Sequence, residues 1–134
     1  GEGTPVDDAV VEIFQADAEG AFNTPAFRGF GRCGSGTTPD KRYYFDTIKP
    51  GRAAEDQAPY IDVIIFMRGL LSHVFTRVYF EDEGEANAID PILNAVPEDR
   101  RGTLIARRED GASGTVYRFD IHMQGDRETV FFDV

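Results

Sequence analysis

Residues 43–80 read YYFDTIKPGRAAEDQAPYIDVIIFMRGLLSHVFTRVYF, and this stretch decides the fold. Three apolar runs lie within it. Tyr43–Ile48 is aromatic and ends on β-branched residues, Ile61–Met67 is almost wholly apolar, and His73–Phe80 alternates. A period of two places Val74, Thr76, Val78 and Phe80 on one strand face and Phe75, Arg77 and Tyr79 on the other. The unbroken run at 61–67 suits a strand buried on both faces. Lys49-Pro50-Gly51 closes the first run. Proline presets φ and glycine tolerates a positive φ, so a type II turn is expected there.

The same pattern continues outward. Val10, Val11, Ile13 and Phe14 form a further β-branched run that ends in a turn around Gly20. Thr103–Glu109 and Val116–Met123 read as two strands, with DGASG at 110–114 as their hairpin loop. Thr129–Val134 reads as a final strand or an extended tail. Only residues 84–96 look helical, and Pro91 and Pro97 keep any helix there short. Short strands separated by Gly/Pro turns predict an all-β chain, an antiparallel β-sandwich with little helix. The first residues, with Glu2-Gly3 at a turn, look like the second half of a hairpin. A partner strand for Ala9–Phe14 is therefore expected upstream, and residues 1–134 read as a single domain lacking an N-terminal segment.

Composition narrows the function classes. A chain of 134 residues with 41% hydrophobic and 28% charged residues is long enough for one globular core. The net charge of −10, from 24 acidic and 14 basic residues, argues against a nucleic-acid partner, which needs a basic face. No apolar run approaches the ~20 residues of a membrane helix, and the first ten residues do not read as a signal peptide. EDEGE at 81–85 is the densest acidic run and reads as a solvated loop. Cys33 is the only cysteine, so an internal disulfide is impossible, which fits a cytoplasmic protein.

Six segments in order resemble the intradiol ring-cleaving dioxygenases: PVDDAVVEIFQADAEG (5–20), GFGRC (29–33), YYFDTIKPG (43–51), TRVYFEDEGEANAIDPILN (76–94), RRGTLIAR (100–107) and YRFDIHMQGDRETVFFDV (117–134). Phe14 stands where the family has a tryptophan. The resemblance implies the family's β-sandwich and, in catalytic chains, ferric iron held by two tyrosines and two histidines. Hard phenolate oxygen and imidazole nitrogen suit that ion.

Carried over residue by residue, the ligand set fails. Tyr60 and Asp62 occupy the two positions of the His-x-His pair. The tyrosine expected after the KPG turn falls near Ala53, Ala21–Thr24 holds no tyrosine, and the arginine before the histidine pair falls at Gln57. The ending ETVFFDV is similar to that of the metal-free chain of two-chain members. The resemblance therefore implies a non-catalytic alpha subunit that binds no metal itself. The Fe(III) would sit on a homologous beta subunit, and the pair would cleave 3,4-dihydroxybenzoate with O2 to 3-carboxy-cis,cis-muconate. Within the Phe66-Met67-Arg68-Gly69 element, the resemblance gives Arg68 a substrate-binding role, as a cation near the substrate carboxylate.

Other readings stand beside this one. Tyr60 and Asp62 read as a polar pair in a relic pocket, where a buried Asp62 needs a donor or water. His73 at a strand end and His122 in the last hairpin read as surface or hydrogen-bonded histidines. A transthyretin-like binding or assembly module would explain residues 5–51 without enzymatic work. An independent metalloenzyme would have to use Tyr60, Asp62 and His73. Phe22, Phe27, Phe30, Phe75, Tyr79, Phe131 and Phe132 are candidates for a partner interface.

Overall fold

A computed structural model describes residues 9–34, 45, 47–67, 73–111, 114–123 and 127–132. The strands are β1 (Val10–Gln15), β2 (Phe30–Gly34), β3 (Tyr60–Phe66), β4 (Val74–Phe80), β5 (Ile105–Gly111) and β6 (Gly114–Arg118). They form one six-stranded sheet in the order β2-β1-β3-β4-β5-β6. Among the described residues, helical structure is confined to α1 (Gly84–Ile89), α2 (Pro91–Ala95) and a 3-10 segment, Glu98–Leu104. The fold is all-β with little helix, as expected. One ladder is parallel: β4 meets β5 at Tyr79↔Ile105 and Phe80↔Ala106. A parallel return needs a crossover connection, which residues 81–104 supply.

The sheet buries two clusters, one on each face. Val11 and Ile13 of β1 lie opposite Ile65 and Val63 of β3, and Val63 lies opposite Thr76 of β4. Directly paired residues share a face, so these side chains make one continuous surface. Val11, Ile13, Val63, Ile65, Val78 and Ala106 form the larger cluster, with Phe45, Phe119, Ile121, Met123 and Phe131 packed against it. Each fully buried Val or Ile there contributes about 1.5–3 kcal/mol. Tyr79 points to the other face and joins Ala58, Ala86, Leu93, Val96 and Leu104 beneath the short helices. The C-terminal segment closes the structure: Thr76 Oγ1 donates to the Val130 carbonyl at 2.8 Å, and Phe132 N donates to the Phe75 carbonyl at 2.8 Å.

Several expectations change here. β1 is not an edge waiting for an upstream strand, because β2 and β3 pair with its two sides. Strand β2 supplies the partner and was not foreseen; its FGRCG sequence, with two glycines, has little strand character. The Glu2-Gly3 turn lies outside the described residues. Phe45, Thr47 and Ile48 are not in a strand, and the rest of 43–46 lies outside the description. β3 is buried on one face only: Val63 and Ile65 are enclosed, whereas Phe66 is 37% exposed. The 3-10 segment takes Thr103 and Leu104 from the expected β5, and β6 ends at Arg118 rather than Met123. The β5–β6 hairpin is found, with Gly111 opposite Gly114.

The two turns flagged by glycine meet one another. Gly51 N donates to the Asp17 carbonyl at 2.8 Å, and a Cβ on Gly51 would lie 2.3 Å from the Ala18 carbonyl oxygen. Glycine is needed there for close approach. The positive φ of a type II turn is absent at Gly51 and occurs instead at Gly20, at 90°. Gln15, fully buried, ties this corner to β1 by donating to the Ile48 carbonyl at 2.6 Å and accepting from Thr47 Oγ1 at 3.1 Å.

The acidic run is largely exposed, as expected, but two of its acids are paired. Asp82 accepts from the Tyr117 hydroxyl at 2.8 Å and pairs with Lys49 and Arg108, each at 3.4 Å, while Glu83 holds Lys49 at 2.6 Å. Lys49 also lies over the rings of Phe80 and Tyr117. Burial alone would raise the Asp82 carboxyl, but the Tyr117 hydroxyl and Lys49 hold it below its ordinary value.

Asp90, fully buried, joins β4, α2 and the entry to β3. Its carboxylate accepts from Ala58 N (2.9 Å), Tyr79 Oη (3.2 Å), Ile92 N (3.0 Å) and Leu93 N (3.0 Å). Two of these are the N-cap bonds of α2, whose first residue is Pro91. Asp90→Ala strands buried donors, so a loss of about 3 kcal/mol or more is expected in urea unfolding, with Asp90→Asn milder because it still caps. A loss below about 1 kcal/mol for the alanine variant would contradict this role.

Candidate functional site

Tyr60 and Asp62 open β3, on the face opposite Ile61 and Val63. The register puts Asp62 between Phe14 of β1 and Arg77 of β4, and Tyr60 beside Tyr79. Arg77 joins the two site residues. Its Nε donates to Asp62 Oδ1 at 2.9 Å, and its guanidinium carbon lies 3.8 Å from the Tyr60 ring centroid. Phe22 extends the wall: it stacks on Phe14 at 5.4 Å and meets Tyr60 at 6.2 Å. Asp62 thus finds its donor in an arginine that the sequence reading left unassigned. The signal was present, since Arg77 is a lone cation on the Phe75–Tyr79 face of β4.

The electrostatics oppose a metal site. Burial raises the Tyr60 phenol above its ordinary value, Arg77 pulls it down in part, and the proton stays on at neutral pH. Burial acts to lower Arg77, but Asp62 and then Tyr79 more than offset this and hold the guanidinium charged. Arg77 Nη1 is buried without an acceptor in hydrogen-bonding geometry. Burial pushes the Tyr79 phenol up to about 12; Arg77 opposes the rise and Asp90 adds to it. A tyrosine and an aspartate already engaged by a guanidinium do not match the two-tyrosine, two-histidine ferric site that the family resemblance implies.

The histidines do not complete such a site. His73 lies at the far end of the strand pair, with its ring 5.3 Å from Phe66 and 4.8 Å from Phe75. The register sets it next to Phe66, four residues beyond Asp62 and six beyond Tyr60, or roughly 13 and 20 Å along the strand. The Tyr60–Asp62–His73 metal site is therefore ruled out by reach. His122 follows β6, outside the hairpin, and its backbone pairs with Thr129 at 2.8–2.9 Å. Among the described residues, no cluster of His, Cys, Asp and Glu has metal-binding geometry. Arg68 lies outside the described residues.

Of the aromatics expected at a partner interface, Phe30 is 62% exposed, while Phe22, Phe27, Phe75, Phe131 and Phe132 are half-buried. Tyr79 is fully buried and belongs to the core instead. Phe14, at 38% exposure, joins Phe30 in an aromatic row across β1 and β2. A cavity of about 150 Å³ lies on the other side of β1, lined by Ile13, Gln15, Phe27, Gly31, Phe45 and Thr47. It is separate from the Tyr60–Asp62 position.

No protein-family model matches the chain. Individual relatives do. The chain is 52% identical to the protocatechuate 3,4-dioxygenase alpha chain of Burkholderia cepacia, over all of this chain and 72% of that one. The chain belongs to the protocatechuate 3,4-dioxygenase alpha-chain family. The Pseudomonas putida alpha chain is 45% identical over 99% of this chain and 71% of its own length. The Burkholderia cepacia beta chain is more distant, 34% identical over 92% of this chain and 60% of its own length. The alpha-chain family thus contains a member whose β3 opens with tyrosine and aspartate bridged by an arginine.

Tyr79 gives a pH test. Its folded value of about 12 stands above the ordinary 10.0, so its contribution to stability is complete below pH 10 and is lost as pH rises toward 12. Urea melts over that window should show declining stability, with a shallower decline for Tyr79→Phe. Equal slopes for the two proteins would contradict the assignment.

Proposed function

We propose that this chain is the non-catalytic alpha subunit of a protocatechuate 3,4-dioxygenase. With a homologous beta chain it would form an active site that cleaves 3,4-dihydroxybenzoate with O2 to 3-carboxy-cis,cis-muconate. The observation that carries this reading is the 52% identity to an alpha chain over the whole of this chain. The Fe(III) belongs to the beta chain. The Tyr60–Asp62–Arg77 arrangement supports that division of labour, because the position that would hold metal is filled by a cation of the protein itself. No reaction step is assigned to an ion on this chain.

The contribution proposed for this chain is pocket wall, assembly surface and one cation. Arg68, just past β3, is the residue proposed to favour the substrate carboxylate, through a charge-assisted hydrogen bond. The exposed aromatics Phe14 and Phe30 suit the apolar centre of a subunit interface. No helix among the described residues is long and apolar enough to cross a membrane, and a cytoplasmic location fits the single cysteine. A transthyretin-like assembly module without enzymatic work gives no account of the 34% identity to a beta chain across 92% of this sequence.

The test is reconstitution. Substrate-dependent oxygen uptake is expected only when this chain is combined with its beta partner. Uptake by the beta chain alone at the full rate would remove the active-site role. Within the active complex, Arg68→Ala is expected to raise KM about tenfold with iron content unchanged. Loss of iron in that variant would instead place Arg68 in metal retention.

A further inference from the structure

We infer that Arg77 is a resident cation that excludes metal from the Tyr60–Asp62 position. The chain would then be metal-free because the charge position is occupied, and not only because ligands are missing. This concerns a cation at one position of this chain and does not rest on the subunit reading.

The geometry carries the inference. Asp62 and Arg77 are directly opposed in the β3–β4 ladder, so the sheet register brings the two side chains together. The Nε–Oδ1 distance is 2.9 Å, and the Arg77 side chain is only 16% exposed. A surface arginine would extend its head to water; this one lays its guanidinium over the Tyr60 ring at 3.8 Å, with Nη1 buried. Tyr60 is in turn backed by Phe22. A metal ion bound by side chains at 60 and 62 would therefore meet a positive charge within contact distance, at a place where Asp62 is 40% exposed and like charges still repel.

It follows that restoring good ligands is not sufficient. Two imidazoles two residues apart on one strand face are a competent chelate for Ni(II). Tyr60→His/Asp62→His supplies that chelate and keeps the Arg77 charge on the facing strand, now without its carboxylate and ring partners, and Tyr60→His/Asp62→His/Arg77→Gln removes the charge as well. Ni(II) binding is measured by titration calorimetry after circular dichroism has shown that both variants are folded. The three-site variant is expected to bind one Ni(II) at least about tenfold more tightly than the two-site variant. Equal affinity, with both binding or neither binding, would overturn the inference. If the glutamine variant does not fold, Arg77→Met in the same background retains an unbranched stem and is read the same way.

Discussion

The buried carboxylate of Asp90 is the constraint on which the site depends. A fully buried aspartate is tolerated only when its oxygens are saturated by donors, and here they come from three directions. One is the backbone just before β3, one is the β4 tyrosine, and two are the first turn of α2. The carboxylate therefore fixes where β3 begins relative to β4. That in turn sets Tyr60 beside Tyr79 and Asp62 beside Arg77. The short helices are positioned by the same group, which is why a largely β-structured chain keeps a helical crossover at this end of the sheet.

Above that anchor the two faces of the sheet do different work. One is packed with Val, Ile and Ala and is closed by the C-terminal segment. The other carries Tyr60, Asp62, Arg77 and a row of phenylalanines that leads toward the surface. At Tyr60, Asp62 and Arg77 this second face holds an internal ion pair stacked on an aromatic ring. A buried or half-buried pair of this kind adds little net stability over an apolar one. On the inference drawn above, it also sets which ions the position can accept.

Much of this was legible in the sequence. The alternation in HVFTRVYF gave β4 and both its faces, and the β-branched run at 10–14 gave β1. Pro91 and Pro97 marked the short helices. What could not be read depended on partners distant in the chain. FGRCG becomes a strand only because β1 offers it an edge, and a glycine-containing segment carries no propensity to announce that. The parallel β4–β5 ladder follows from the crossover path and not from a local pattern. Gly51 signalled a turn, but the reason for glycine is the Ala18 carbonyl lying against it. The ion pairs of EDEGE were not readable because Lys49, Arg108 and Tyr117 reach it from three other segments. At the site, Tyr60 and Asp62 stood out because a family pattern was broken there. Arg77 did not, since its partner is fifteen residues away and only the strand register brings them together.

The central claim is that this chain carries no iron of its own. The most direct measurement is metal analysis of the chain purified apart from its beta partner, after incubation with ferric iron and removal of excess by a chelator. The account predicts no stoichiometric iron and no visible tyrosinate-to-iron absorption. One chelator-resistant iron per chain, lost on Tyr60→Phe, would contradict it and make Tyr60 a ligand.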